Sequence, residues 1–165
     1  MNPQDWIPNH QSGFRQAQCT VQQCHRVTDV FNTAMENQQH CTSALLGLSL
    51  AFDKVRHRGQ LYKIKRILPS SYIKLPKSYL NEHQFETKFN VEPSSHFHIH
   101  SGIPQGSILG PLLYVLHTSD LPTSRETTLG TFTDHTTIFA TNEDPTIATL
   151  NLQGHLHSIE KWLKK

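Results

Sequence analysis

The chain has 165 residues, of which 36% are hydrophobic and 17% are charged, so length and composition allow one folded domain with a substantial core. Its formal net charge of +2 excludes disorder driven by charge and gives no argument for a nucleic-acid partner. The three cysteines include no Cys-x-x-Cys pair and indicate neither a disulfide framework nor a zinc site. No apolar run reaches the roughly 18 residues of a membrane span, and we expect a soluble intracellular protein.

A helix and then a buried strand are predicted for the first third of the chain. Between residues 27 and 34, apolar residues recur at positions i, i+3, i+4 and i+7, the period of an amphipathic helix that runs towards Asn37. Residues 43–50 form an apolar run of strand length that is weakened by Gly47. We expect this strand to lie in the centre of a sheet.

Two helices are predicted after this strand. The first covers residues 54–68, where apolar residues line one face and Pro69 would end the helix. The second is a short helix at residues 75–80. Basic side chains in this region could contact phosphates or form a solvated face, and the sequence favours neither interpretation; they are Lys63, Lys65, Arg66, Lys74 and Lys77.

Alternating apolar and polar residues predict a β-hairpin next. Its first strand ends at Val91, and a turn is expected at residues 92–95. In the second strand, His96, His98 and His100 would project from one face. Imidazoles so arranged can bind zinc or nickel, but a polar face exposed to solvent is the favoured interpretation.

A loop and a buried helix follow the hairpin. Residues 102–106 read as a Gly-Ile-Pro-Gln-Gly loop, after which Ser107 can cap a helix at residues 109–116. Pro111 falls in the first turn of this helix, where proline is tolerated. The pattern therefore predicts an apolar helix that begins directly after the loop.

The last part of the chain predicts a second hairpin and a terminal helix. Residues 127–141 contain two strand-like runs that meet at Asp134 and His135, as in a tight hairpin with a polar tip. The Asp-Pro pair at residues 144–145 indicates the start of an amphipathic helix. Gly154 would interrupt that helix.

Several stretches resemble motifs of one polymerase family. Three of them resemble successive motifs of the non-LTR reverse transcriptases: Leu48-Ser-Leu-Ala-Phe-Asp-Lys-Val, Ser101-Gly-Ile-Pro-Gln-Gly-Ser-Ile-Leu-Gly-Pro-Leu-Leu-Tyr and Thr131-Phe-Thr-Asp-His-Thr. Shorter stretches resemble the jockey group of these retrotransposon enzymes, at residues 11–15, 25–27, 61–69, 77–80, 118–122 and 159–165. The resemblance implies an RNA-directed DNA polymerase that uses an RNA template, a DNA primer and deoxynucleotides.

The resemblance also implies a fold. It predicts the α+β class, with a reverse-transcriptase palm of antiparallel sheet and packed helices that is preceded by part of the fingers. We expect the fingers remnant at about residues 1–42 and the palm at about residues 43–165. The thumb and the endonuclease domain of the family are expected to be missing from this chain.

The same resemblance identifies a metal centre that is incomplete. In the family, three carboxylates from a strand and a hairpin tip hold two Mg²⁺ or Mn²⁺ ions. Counting back five residues from the motif aromatic, Phe52, puts the first carboxylate at Gly47, which has no ligand. The hairpin motif keeps Asp134 but has His135 at the other carboxylate position. Asp134 is therefore the one metal ligand and catalytic residue that we expect to be retained, and catalysis should be impaired.

Three further positions match substrate-binding residues of the family. Phe52 matches the aromatic ring that selects against a 2′-hydroxyl, and a core aromatic is the alternative. Gln105 and Gly106 match a loop near the template and the nascent base pair, where glycine allows close approach, and an ordinary turn is the alternative. Asp53 matches a second aspartate of the first motif, and we interpret it as a helix cap.

Three functional hypotheses follow. The favoured one is a reverse-transcriptase fragment that is catalytically impaired. A non-catalytic nucleic-acid-binding remnant is the first alternative, and a decayed reading frame without a selected function is the second.

Overall fold

The computed structural model describes residues 8, 11, 13, 19–47, 52–81, 83–104, 106–132 and 135–164. The chain forms two compact units: a sheet unit that combines Met1–Ser49 with Ser119–Lys165, and a helical unit, Leu50–Thr118. In chain order the elements are α1 (Thr20–Glu36), β1 (His40–Gly47), α2 (His57–Ile67), α3 (Ser70–Leu80), β2 (Gln84–Phe85), β3 (Lys88–Phe89), β4 (Glu92–Pro93), β5 (Phe97–His98), α4 (Leu109–Thr118), β6 (Thr128–Phe132), β7 (His135–Asn142) and α5 (Pro145–Leu163).

This mixture of helices and antiparallel strands confirms the predicted α+β class. The helix predicted to run towards Asn37 is α1, which ends one residue earlier. Among the described residues, no helix combines the length and the apolar content that a membrane span requires.

The sheet unit is built around β7, which pairs with β1 on one side and with β6 on the other. Side chains along a strand alternate between the two faces of the sheet. Ile138 and Ala140 pack against Ile159 of α5, whereas Phe139 makes an edge-to-face contact with Phe31 of α1, at 5.6 Å between ring centroids. The two helices therefore cover opposite faces of β7, and full burial of a side chain such as Ile138 stabilises the fold by about 1.5–3 kcal/mol.

The strand predicted at residues 43–50 is present as β1, but its predicted central position is wrong. β1 begins three residues earlier, at His40, and residues 48–50 lie outside the described part of the chain. In the described sheet β1 is an edge strand, and Leu45 is 79% exposed. The central position belongs to β7 because it pairs with a strand on each side.

Two polar contacts hold the ends of α5. Asp144 is the N-cap residue, and its carboxylate accepts a hydrogen bond of 2.7 Å from the backbone N–H of Thr146. Near the other end, Nε1 of Trp162 donates to the carboxylate of Asp120 over 3.0 Å. The predicted helix start is confirmed, but the predicted interruption at Gly154 is wrong, because α5 continues through it.

α4 is the buried helix of the helical unit, as predicted. Oγ of Ser107 accepts a hydrogen bond of 2.9 Å from the N–H of Gly110 and so caps its first turn. Leu113 and Leu116 are fully buried. Gln60 of α2, which is also fully buried, donates from Nε2 to the carbonyl of Leu113 over 2.7 Å and joins the two helices.

α2 and α3 occupy the segments predicted as helices, with different starts. α2 begins at His57, three residues later than predicted, and Pro69 follows its end as expected. α3 extends back to Ser70 and contains Pro76. The predicted end at residue 80 is confirmed, but the predicted start at residue 75 is five residues too late.

Asp53 does not cap a helix, so that interpretation was wrong. The N-cap residue of α2 is Arg56, and Asp53 lies in a turn before it. The backbone here bonds to the loop before α4: the N–H of Ile103 donates to the carbonyl of Phe52, and the N–H of Gly102 to that of Val55, each over 2.9 Å. These bonds hold the turn in a non-helical conformation and delay the start of α2.

The first predicted hairpin is present, but its turn is displaced. β2 pairs with β5 and β3 pairs with β4, so the chain reverses at Asn90 and Val91 instead of at residues 92–95. Asn90 has a φ of +56°, which asparagine adopts more readily than most residues. Residues 86–87 connect β2 to β3, and the three residues 94–96 lie opposite them between β4 and β5. The extra residue forms a β-bulge, in which the N–H of Ser94 donates a hydrogen bond of 2.8 Å to the carbonyl of Thr87.

Candidate active site

Gly47 and His135, the two positions that lack an expected carboxylate, face each other in the sheet. Gly47 is the last residue of β1 and His135 is the first residue of β7, and they are direct partners in the antiparallel register. Cβ atoms at such paired positions lie about 5 Å apart, close enough for two side chains to share a cation. Asp134 directly precedes His135 in the sequence but lies outside the described residues.

The backbone at Gly47 does not require glycine. A Cβ atom added there would have nothing within 4 Å, and its φ is not in the left-handed region. The position is also exposed. An aspartate side chain therefore fits at Gly47 without a shift of its neighbours.

The described residues do not fit a magnesium centre. Mg²⁺ prefers oxygen ligands in a near-octahedral arrangement, whereas Gly47 offers no side-chain ligand and His135 offers imidazole nitrogen. Within the described ranges, no group of three or more His, Cys, Asp and Glu side chains is placed to hold a metal.

Phe52 stacks on a buried tyrosine of the helical unit. Its ring lies 4.6 Å from that of Tyr114, centroid to centroid, with an interplanar angle of 25°. Tyr114 is 1% exposed, while Phe52 is half-buried. One face of the Phe52 ring is thus fixed by packing, which gives the ring the rigidity that a steric role would need.

The loop before α4 requires glycine for reasons of backbone conformation. Gly106 has a φ of +83° and an added Cβ would have nothing within 4 Å, so conformation and not crowding excludes other residues. Gly102 has a φ of +102° and lies against the backbone of Asp53. Gln105, the other predicted binding residue of this loop, lies outside the described residues.

The three hairpin histidines are exposed and have different neighbours. His96 lies 3.5 Å from the carboxylate of Glu86, whereas the rings of His98 and His100 stack with centroids 6.3 Å apart. They do not converge on a common point, and the described part of the chain contains no metal-binding group. The zinc or nickel interpretation therefore has no support from the geometry.

Of the five basic residues considered as possible phosphate contacts, Lys63 forms a hydrogen bond within the helical unit. Its Nζ donates a hydrogen bond of 2.6 Å to the carbonyl of His117 at the end of α4. The guanidinium of Arg66 lies over the ring of Tyr62, 5.8 Å from the centroid. The members of the set with exposed side chains are Lys65, Arg66, Lys74 and Lys77.

Two basic residues outside the set predicted from the sequence line a cavity of about 860 Å³ in the helical unit. They are Arg56 and Arg58, at the start of α2. A signal was present in the sequence, because two arginines at the N-terminal end of a predicted helix oppose the helix dipole.

Comparisons with a family profile and with individual proteins both identify reverse transcriptases as relatives of this chain. The profile of the family described as "Reverse transcriptase (RNA-dependent DNA polymerase)" matches residues 1–165. The chain is 36% identical over 170 residues to a probable RNA-directed DNA polymerase from transposon X-element of Drosophila melanogaster, covering 100% of this chain and 19% of that protein. It is 37% identical over 164 residues to the RNA-directed DNA polymerase from mobile element jockey of the same species, covering 94% and 18%. The chain thus spans about a fifth of the length of these relatives.

Proposed function

Because the chain belongs to the reverse transcriptase (RNA-dependent DNA polymerase) family, we propose that it is a catalytically impaired segment of a jockey-type retrotransposon polymerase. The intact enzyme would copy an RNA template onto a DNA primer with deoxynucleotides. We assign about residues 1–42 to the fingers and about residues 43–165 to the palm, with Phe52, Gln105 and Gly106 as substrate-binding positions.

The pairing of Gly47 with His135 supports impairment most directly. Phosphoryl transfer by two ions requires ligands that hold both ions close to the attacking and leaving oxygens. At this pair the family would have two carboxylates, whereas this chain has no ligand at one position and a nitrogen ligand at the other. Asp134 alone would remain, and one carboxylate is too few to hold two Mg²⁺ ions.

A metal titration tests this proposal without requiring the rest of the polymerase. We expect the unmodified chain to bind Mn²⁺ weakly in electron paramagnetic resonance titrations. The double variant Gly47→Asp/His135→Asp should bind at least about tenfold more tightly, because each new carboxylate adds hard oxygen ligands. Adding Asp134→Ala to that variant should abolish the gain.

A matched control separates a specific site from added negative charge. Leu45 and Thr137 are also direct partners in the register of β1 and β7. Leu45→Asp/Thr137→Asp adds the same charge two pairs away and should leave Mn²⁺ affinity nearly unchanged. Two Mn²⁺ ions bound at stoichiometric concentrations by the unmodified chain, or primer extension by it that Asp134→Ala abolishes, would contradict impairment.

A non-catalytic nucleic-acid-binding module is the second candidate. The observation in its favour is the set of exposed basic side chains on α2 and α3, which includes Lys65 and Lys74. Such a module would bind a primer–template duplex with an affinity that falls as salt rises. Lack of binding at low salt would remove this candidate and leave the metal titration unaffected.

A further inference from the structure

The cavity of about 860 Å³ in the helical unit has a basic rim. This volume lies within the range of small-molecule and nucleotide pockets. None of the described residues that line it is acidic. Its exposed basic side chains come from the start of α2 and from the end of the hairpin, and they are Arg56, Arg58, His98 and His100.

The side chains of the two arginines are exposed. Neither the guanidinium of Arg56 nor that of Arg58 forms a hydrogen bond or ion pair with the part of the chain that the structure describes. Guanidinium groups bind phosphates through several parallel N–H donors. Both residues thus keep their donors available to an anionic ligand.

Their location in the helix is electrostatically unfavourable. Arg56 is the N-cap residue of α2 and Arg58 lies in its first turn, which contains no acidic residue. The N-terminal end of a helix carries a partial positive charge, so acidic side chains stabilise it and basic ones do not. Residues that oppose the local preference of their element are often found at functional sites.

Flat and apolar surfaces complete the cavity. The stacked rings of His98 and His100 have an interplanar angle of 22° and present a planar pair at the rim. Leu61, Leu80 and Ile99 contribute apolar side chains to the wall. Planar rings and apolar side chains accept nucleobases, whereas an acidic peptide would use only the positive charge.

We propose that this cavity binds a single-stranded segment of nucleic acid. Arg56 and Arg58 would contact backbone phosphates, and the His98–His100 pair with the apolar wall would receive a base. All of these residues lie in the helical unit, whereas Gly47 and His135 lie in the sheet unit. The proposal therefore does not depend on the state of the metal centre.

The test measures the affinity for a fluorescein-labelled oligouridylate of about 12 nucleotides by fluorescence anisotropy. Arg56→Gln/Arg58→Gln should weaken binding about tenfold at low salt and reduce the slope of log affinity against log salt by about 1.4, since each single-strand phosphate contact contributes about 0.7. The control, Arg125→Gln/Lys161→Gln, removes two exposed charges from the sheet unit. Equal losses in the two variants would overturn the proposal.

Two further probes define the ligand. An abasic oligomer of equal length should bind several-fold more weakly than the oligouridylate if a base enters the cavity. Inorganic phosphate and polyglutamate should not compete at equal charge concentration, and competition by either would overturn the assignment to nucleic acid.

A stability measurement distinguishes a loss of phosphate contacts from unfolding of the arginine variant. Because the arginines oppose the helix dipole, Arg56→Gln/Arg58→Gln should leave the unfolding midpoint unchanged or raise it. If the midpoint of the arginine variant falls, His98→Ser/His100→Ser serves as the second variant. An unchanged affinity of that variant for the oligouridylate would contradict the proposal. An unmodified chain that binds no oligonucleotide would refute this site, while the metal titration would still judge the proposed function.

Discussion

Nδ1 of His155 lies 2.6 Å from Oγ1 of Thr127, although His155 is only 2% exposed. Its Nε2 lies 2.9 Å from the carbonyl oxygen of Pro122. A carbonyl only accepts, so Nε2 donates to Pro122 and Nδ1 accepts from the Thr127 hydroxyl in the neutral ring. The imidazole thus joins α5 to the segment before β6 with both ring nitrogens satisfied.

His155→Leu should lower the free energy of unfolding by about 1–2 kcal/mol, because it keeps an apolar side chain in the site but leaves two polar partners without their bonds. The control is His157→Leu on the same helix, where the side chain is 60% exposed. It should change the stability by less than about 0.5 kcal/mol. Urea denaturation followed by circular dichroism measures both, and equal effects would contradict the assigned role of His155.

Gly110 and Gly154 provide a second comparison between buried and open helix positions. A Cβ atom at Gly110 would lie 2.8 Å from Oγ of Ser107 and 3.1 Å from the carbonyl oxygen of Pro104, whereas at Gly154 it would have nothing within 4 Å. Gly154→Ala should stabilise the chain by about 0.5–1 kcal/mol through better helix propensity.

Gly110→Ala should destabilise the chain despite the same gain in propensity, because the new methyl group displaces the Ser107 cap. We expect a loss of about 1–3 kcal/mol, as for other overpacked sites. Thermal unfolding of the two variants beside the unmodified chain provides the measurement. A stabilising Gly110→Ala would show that the Ser107 contact is dispensable.

Local sequence signals predicted the elements whose determinants are neighbours in the chain. Ser107 caps the helix that begins two residues later, and Asp144 with Pro145 starts α5, because capping involves atoms a few residues apart. Position within a sheet depends on distant partners. The apolar run in β1 therefore suggested a central strand, although pairing puts β7 there.

One part of the candidate site could be predicted from the sequence and another part could not. Motif resemblance identified Gly47 and His135 as altered positions, and the register of β1 with β7 brings them together. The basic cavity could not be predicted, because it requires Arg56 and Arg58 to approach His98 and His100, which are about forty residues away in the chain. No local pattern encodes that proximity.

The tip of the first hairpin exposes apolar side chains. Phe89 is 82% exposed and Val91 is 88% exposed, whereas Phe85 pairs with Phe97 at 5.6 Å between ring centroids. Phe89→Ser/Val91→Ser should reduce self-association in light scattering and change the unfolding free energy by less than about 0.5 kcal/mol, since little contact is lost. Phe85→Ser should instead destabilise the hairpin, because it removes the cross-strand pair. Unchanged scattering by the tip variant would contradict this prediction.

The N-cap of α5 should make stability depend on pH. The hydrogen bond from the backbone N–H of Thr146 holds the pKa of the Asp144 carboxyl below its usual value. The folded chain thus binds the carboxyl proton of Asp144 less tightly than the unfolded chain does. The stabilisation by the cap is therefore complete above the unfolded-state pKa of about 4, and it is lost as the pH falls through the lower pKa of the folded state. Asp144→Ala should therefore lower the urea midpoint at neutral pH and converge with the unmodified chain in strong acid, while Asp144→Asn retains much of the cap at both. Glu143→Ala removes the neighbouring carboxylate and should leave the pH profile unchanged; a matching loss in that variant would attribute the effect to net charge instead of to the cap.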